Sequence, residues 1–407
     1  MFFMRCFRAS ALAAVCGGWM TASAPQAQAE QRIGDVTKQA GDANPSLCLA
    51  DFSGPAEVRQ VLLNTLKRCD WFTVVDGQSA AYRVRASYGA AGLEMQVEGG
   101  KSFAFRQPAA EDAKWTVYRA VDSLIAKAFE KPGIGLCATT VAIAIGNSGR
   151  GRKELFTCNF DGSNMQQLTH NNSISTEPSW GPTWNSLLYT VYNHNCTDVA
   201  LVDPSRKRQR PLSQFPGLNS SASLAPNGQM AALTLSRDHQ VDLYLLGVSG
   251  RGLTRLTSDQ AVEASPCWSP DGSRICFVSD RARKPRLYVV SARGGQPQAL
   301  PRGAGAESVS PSWSKVSNKI CFATGGGDNY QLAVIDMVNP GAPAQPVETK
   351  GGSYESPSWM PDGRHVVCTR KVGRNSRELC MVDTETGRAI KILDAADVSL
   401  PACSPLH

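Results

Sequence analysis

Four glutamates, Glu177, Glu263, Glu307 and Glu355, stand in short polar segments that each run into Pro-x-Trp or a close variant of it. Carboxylates so placed can accept hydrogen bonds from the cationic or amide groups of another protein. The same segments carry Thr176, Leu218, Asn219, Ser265 and Tyr354. Loops on a rigid scaffold commonly carry function, although the same residues also suit an ordinary solvated loop. Covalent chemistry has less support. No G-x-S-x-G elbow occurs, and Gly146-Asn147-Ser148-Gly149 lacks its spacing. Of five histidines, His170, His194, His239 and His365 fall in turns or at strand starts, and His407 ends the sequence. None is set beside an acid and a serine as a triad requires. Gly325-Gly326-Gly327-Asp328 is followed by no helix, so it reads as a hairpin tip and not a phosphate loop. There is no C-x-x-C, no Cys/His cluster and no paired carboxylate at a repeated position. Neither a cofactor nor a metal is expected, and no enzyme activity.

The element that positions these segments is a repeat. Pro266-Cys267-Trp268-Ser269-Pro270-Asp271-Gly272 has partial copies at Pro178-Ser179-Trp180, Pro311-Ser312-Trp313 and Pro357-Ser358-Trp359. Pro361-Asp362-Gly363 and Pro226-Asn227-Gly228 copy its second half. Aligned, the Trp position falls at Trp180, Leu224, Trp268, Trp313, Trp359 and Cys403, in steps of 44, 44, 45, 46 and 44 residues. A period near 44 built from short strands is the signature of a β-propeller blade. In the blade of Trp268 the Pro-Asp-Gly turn leads to strands over 275–278, 287–290 and 298–300. Thr140–Ile145, Glu154–Cys158 and Gln166–Leu168 lack a first strand, and Ser399–Pro405 supplies one with nothing after it. Joined, they complete a sixth blade and close the ring over residues 139–407, removing exposed sheet edges.

Ahead of the repeats, 47–138 reads as a small α/β domain. Leu47–Phe52 forms a strand, and Ser53-Gly54-Pro55 opens a helix with Val58, Val61, Leu62 and Leu66 on one face. Strands follow at Trp71–Val75 and Tyr82–Tyr88, with a weaker hairpin across Gly99-Gly100. A second helix starts near Glu111-Asp112 and buries Trp115, Tyr118, Val121, Leu124, Ile125, Ala128 and Phe129. Residues 1–29 read as a secretory signal peptide: Arg5 and Arg8, an apolar run, then Ala27-Gln28-Ala29. Residues 30–46 are polar without an apolar period and read as a flexible arm.

With 42% hydrophobic residues the chain can bury a full core, and a net charge of +7 is mild. The basic run Arg206-Lys207-Arg208-Gln209-Arg210 has no aromatic neighbours and reads as a solvated turn, so no nucleic acid is expected. No direct membrane insertion is expected, and the protein reads as a monomer. Eleven cysteines follow the signal peptide. Cys276 and Cys321 stand where other blades have Leu188, Ala232 and Val367, and Cys158 and Cys380 where others have Ala200 and Ala333. Those four read as small buried hydrophobes. Bridges involving Cys48, Cys69, Cys137 or Cys196 stay open as alternatives.

In this order of parts the chain resembles the TolB family of the Tol-Pal system: signal peptide, α/β domain, six blades with Trp-Ser-Pro-Asp-Gly turns, and a closing Leu400-Pro401-Ala402-Cys403-Ser404-Pro405. Phe215–Asn219 and Ala225–Gly228 are also similar to a family segment. The resemblance implies a periplasmic, non-catalytic adaptor that binds the peptidoglycan-associated lipoprotein Pal through the channel mouth. It implies contact with the inner-membrane protein TolA through the arm, where Glu30, Arg32 and Ile33 are similar to the start of the family's binding segment. Leu218 stands where many members have His, Asn219 is kept, and Ala264-Ser265 replaces a frequent Thr-Glu that Thr176-Glu177 retains in another blade. A second reading is an exported propeller enzyme or sugar- or peptide-binding module sharing only the scaffold.

Overall fold

The structure, a computed structural model, describes residues 44–406 except 78, 148–150, 194–195, 238, 374–375 and 396. The expected signal peptide, the arm residues Glu30, Arg32 and Ile33, His194, Ser148-Gly149 and His407 lie outside the described residues.

Chain order begins with β1 (Ser46–Ser53), α1 (Ala56–Arg68), β2 (Thr73–Val74), β3 (Tyr82–Gly89), β4 (Gly92–Gly99), β5 (Phe103–Pro108) and α2 (Ala113–Ala128). The sheet order is β2-β1-β3-β4-β5, with β1 parallel to β2 and β3. Pro55 precedes the first turn of α1, where its missing N–H costs nothing. Asp112 caps α2 by accepting from Lys114 N at 2.9 Å. The faces pointing at the sheet are those the three/four spacing predicts, with Leu62, Leu66, Tyr118, Val121 and Leu124 fully buried. Two details differ. The arm was expected to run to residue 46, yet β1 takes in Ser46, and Asn44 is bonded to Asp70 O and Arg364. The expected strand Trp71–Val75 shrinks to two residues, because Trp71 and Phe72 turn inward as core anchors against Phe129.

The described residues from 140 onward form six four-stranded antiparallel blades. Two of them are linked into one sheet by a single parallel bridge, Lys153 with Ile174. Blades one to five start with the inner strands Ile174–Trp180, Asn219–Leu224, Glu263–Trp268, Glu307–Trp313 and Ser353–Trp359. The sixth is the composite one: Val398–Cys403 pairs antiparallel with Thr140–Asn147, Val398 opposite Ile145 and Cys403 opposite Val141. The repeated tryptophans are scaffold. Trp180, Trp268 and Trp359 donate Nε1–H to the carbonyls of Ala402, Ser223 and Ser312, at 3.0, 2.9 and 2.9 Å. Each acceptor belongs to the preceding blade, one residue before its own Trp position. Trp313 instead bonds Asn318 within its own turn. Each such indole fills the gap between two blades and satisfies its one donor there.

The two parts share one core. Leu66, Trp71, Tyr118 and Leu124 pack in the same cluster as Met360, Val367, Met381, Val141 and Phe160 of blades five and six. Residues 44–407 accordingly make one compact unit. The linker is held by Asp122, whose carboxylate accepts N–H bonds from Leu136, Cys137 and Ala138, each at 2.9 Å. All eleven cysteines after residue 30 are free thiols, and Cys158, Cys276, Cys321 and Cys380 are buried as the repeat register predicts. The bridges left open for Cys48, Cys69, Cys137 and Cys196 are not formed.

Candidate functional site

The inner strands line a central cavity of about 380 Å³. Each inner strand bulges at the same point, three residues before its Trp position. There Glu177, Ser221, Ser265, Ser310, Ser356 and Leu400 all have φ between 51° and 53°. None is Gly or Asn, the residues that adopt this left-handed region readily, so six strained positions form a ring. The kink breaks strand alternation and brings these six residues and the Pro, Ser or Ala residues after them onto the cavity wall.

The mouth lies at the end where the inner strands begin, beside the hairpins joining second and third strands, as the pairing of Glu307 with Gly325 shows. The structure corrects the idea of four available glutamates. Glu177 accepts from Thr190 Oγ1 at 2.8 Å and from Ser221 N and Oγ at 2.9 and 3.1 Å, a stitch from blade one to blade two. Glu263 has a fully buried side chain paired with Arg281 at 2.8 Å. Burial pushes its pKa up to about 7 against the pull of that guanidinium. Among the described residues the Glu307 carboxylate accepts only from Tyr330 OH, at 2.6 Å through Oε2. Glu355 is half-buried, accepts no hydrogen bond among the described residues, and has its pKa raised by burial.

Other expected contact residues are also turned inward. Asn219 is fully buried: Nδ2 donates to Thr197 O and Phe215 O at 2.8 and 2.6 Å, while Oδ1 accepts from Ser213 Oγ and Phe215 N. Its amide is spent on shaping the 213–219 loop. Tyr354 is buried with its hydroxyl on Lys350 O, and Thr176 is buried in the inner strand. Leu218 is half-buried, its N–H on Ser236 Oγ; Ser265 lines the cavity and makes no hydrogen bond among the described residues. The polar groups open at the mouth are therefore Glu355, Oε1 of Glu307 and the neighbouring Asp328, which pairs with Lys371 at 3.4 Å.

At the opposite end, where first strands turn into second strands, a buried charge network joins the two parts of the chain. His365 sits fully buried with Nδ1 2.5 Å from Asp362 Oδ2 and Nε2 3.8 Å from Asp70 Oδ2. Trp71 Nε1 donates to the same Asp362 oxygen at 3.1 Å, under the Arg364 guanidinium. Arg364 bonds Asp383 Oδ2 at 2.6 Å and Arg388 pairs with Asp70 at 2.9 Å. Burial alone would lower the pKa of His365, but Asp362, Asp70 and Asp383 together raise it to about 9. The local sign of this pair in the sequence is the Asp-x-x-His spacing of Asp362 and His365, whereas Asp70 and Trp71 come from a distant segment. Asp70, His365 and Asp383 lie close enough to share an ion, their ligand atoms within 4.8 Å. Two guanidiniums already occupy Asp70 and Asp383, so this set works as an interdomain clamp.

Residues 135–407 match the TolB beta propeller domain. Among curated proteins, a Protein TolB homolog of Chlorobium luteolum is 32% identical over 146 residues, covering 36% of this chain and 33% of that protein. The Tol-Pal system protein TolB of Anaeromyxobacter dehalogenans is 31% identical over 198 residues, covering 48% of this chain and 41% of that protein. The matched stretches thus span about a third to two fifths of those relatives. Among solved structures, TolB from Acinetobacter baumannii superimposes with a TM-score of 0.77 at 22% identity, covering 90% of this chain and 98% of that one. That likeness shows a common fold.

Proposed function

This chain belongs to the TolB propeller family, and on that premise we propose that it is a non-catalytic adaptor of a Tol-Pal-type envelope system. It works in the periplasm, binding a Pal-like peptidoglycan-associated lipoprotein through the propeller mouth. A TolA-like inner-membrane protein binds the N-terminal arm at Glu30, Arg32 and Ile33, and the pair of contacts supports outer-membrane integrity and cell division. The observation that carries this reading is the uneven use of polar groups at the mouth. Glu177 and Asn219 are satisfied inside the chain and Glu263 is sealed in a buried ion pair with Arg281, whereas Glu355 and Oε1 of Glu307 accept nothing among the described residues. Half-buried acceptors without an internal donor suit an incoming N–H or ammonium group. The relevant contacts contract to blades four and five.

A pull-down from envelope extract tests this. The wild-type chain should recover a peptidoglycan-associated lipoprotein, and Glu307→Gln with Glu355→Gln should weaken that recovery while Glu177→Gln, on the opposite blade, changes it little. Recovery unaffected by the double change, or no envelope protein recovered at all, sinks the proposal.

A further inference from the structure

Two residues after each Trp position, five of the six blades carry proline: Pro182, Pro226, Pro270, Pro361 and Pro405. Blade four carries Lys315 instead. Proline there presets the turn out of the inner strand, so the exception gives up a conformational aid and places an ammonium group in the cavity. Lys315 Nζ reaches across to the Gly181 carbonyl of blade one at 3.3 Å, and in a six-bladed ring blade one stands opposite blade four. No carboxylate among the described residues lies within ion-pair reach of it. The side chain is solvent-exposed within the cavity, and the protein packed around it lowers its pKa by desolvation. An ammonium with one carbonyl partner and no carboxylate beside it has donors to spare for a ligand.

The wall above it is polar and unspent. Ser265, Ser310 and Ser356 face the cavity and make no hydrogen bonds among the described residues. They sit on the strained ring, where a substituted ligand could use hydroxyls that no protein group uses. The volume, about 380 Å³, falls within the range of small-ligand sites.

We propose that the propeller channel is a binding site for a small monocarboxylate, with Lys315 as the group that holds the carboxylate and the Ser265, Ser310 and Ser356 hydroxyls along the body of the ligand. A monoanion fits better than a phosphate dianion. The site offers one compact cation and no arginine fork, and the Glu177 carboxylate lines the same cavity. A free acid and the C-terminus of a peptide share this chemistry.

Calorimetric titration of the full chain with acetate, N-acetyl-glycyl-glycine and its C-terminal amide separates the cases. The peptide acid should bind at least about tenfold more tightly than its amide, a difference of about 1.4 kcal/mol. Acetate alone binding as tightly as the peptide acid identifies a free small acid as the ligand. Lys315→Met should abolish the preference for acid over amide, and Lys315→Arg should retain it. Equal binding of acid and amide by the wild-type chain, or no binding of any probe, overturns the proposal without depending on how a variant folds.

Discussion

Replacing His365 by glutamine should remove a pH dependence that the wild-type protein carries between pH 6 and 8. In the folded chain the imidazolium is held between Asp362 and Asp70, raising its pKa to about 9 from an unfolded value near 6.5. A basic group whose pKa is raised by folding stabilises fully below its unfolded pKa and loses that contribution as pH climbs through the folded value. Integration over the two titrations gives about 3 kcal/mol at pH 6 and about 1 kcal/mol at pH 8, a loss of about 2 kcal/mol. For a unit covering residues 44–407 this is a fall on the order of 3 °C in melting temperature. Asp122 and Glu263 have pKa values raised to about 6 and about 7 by burial, so they also lose stability as pH rises, but largely below pH 7. Buried thiols add a loss above pH 8 because they ionise only on unfolding. All these contributions persist in the glutamine variant and cancel in the difference between the two proteins. Thermal unfolding at pH 6, 7 and 8 reads it directly. Parallel curves for wild type and His365→Gln would refute the charged clamp and show a neutral histidine at the interface.

Trp71→Phe keeps the apolar body but removes the 3.1 Å bond to Asp362, and should cost about 1.5–3 kcal/mol in chemical denaturation. An effect below about 0.5 kcal/mol would show that Oδ2 of Asp362 is served by His365 without Trp71. Asn219→Ala strips a fully buried amide from the 213–219 loop and should destabilise by roughly 2–4 kcal/mol. Lipoprotein recovery by the remaining folded fraction should stay unchanged; loss of recovery at full stability would return Asn219 to the contact surface. Deleting Leu400 to His407 removes most of the first strand of blade six and the acceptor of Trp180, and should collapse the cooperative transition. An unaltered transition would contradict closure by the terminal strand.

The fold was legible because its signals are local and repeated. Trp, Pro-Asp-Gly and period-two strands recur at fixed spacing, and the incomplete first and last repeats could be matched by what each lacked. The buried thiols followed from the same register. The site was harder to read because a polar residue at a strand start looks alike in sequence whether it faces water or a donor inside. Asn219 and Glu263 were expected at the surface and are buried; only their partners, Thr197, Phe215 and Arg281, reveal it. The left-handed ring carries no compositional mark, since Ser, Glu and Leu fill it. Backbone pairing across the bulge imposes that conformation on them. His365 needed Asp70 and Trp71, which the fold brings in from a different part of the chain.

Binding of a purified soluble peptidoglycan-associated lipoprotein domain, followed calorimetrically, tests the adaptor reading most directly. The wild-type chain should form a one-to-one complex, and Glu307→Gln with Glu355→Gln should reduce its affinity at least about tenfold at an unchanged melting temperature. A complex of equal affinity with the double variant would place the partner elsewhere on the propeller. The absence of any complex would contradict the adaptor function itself.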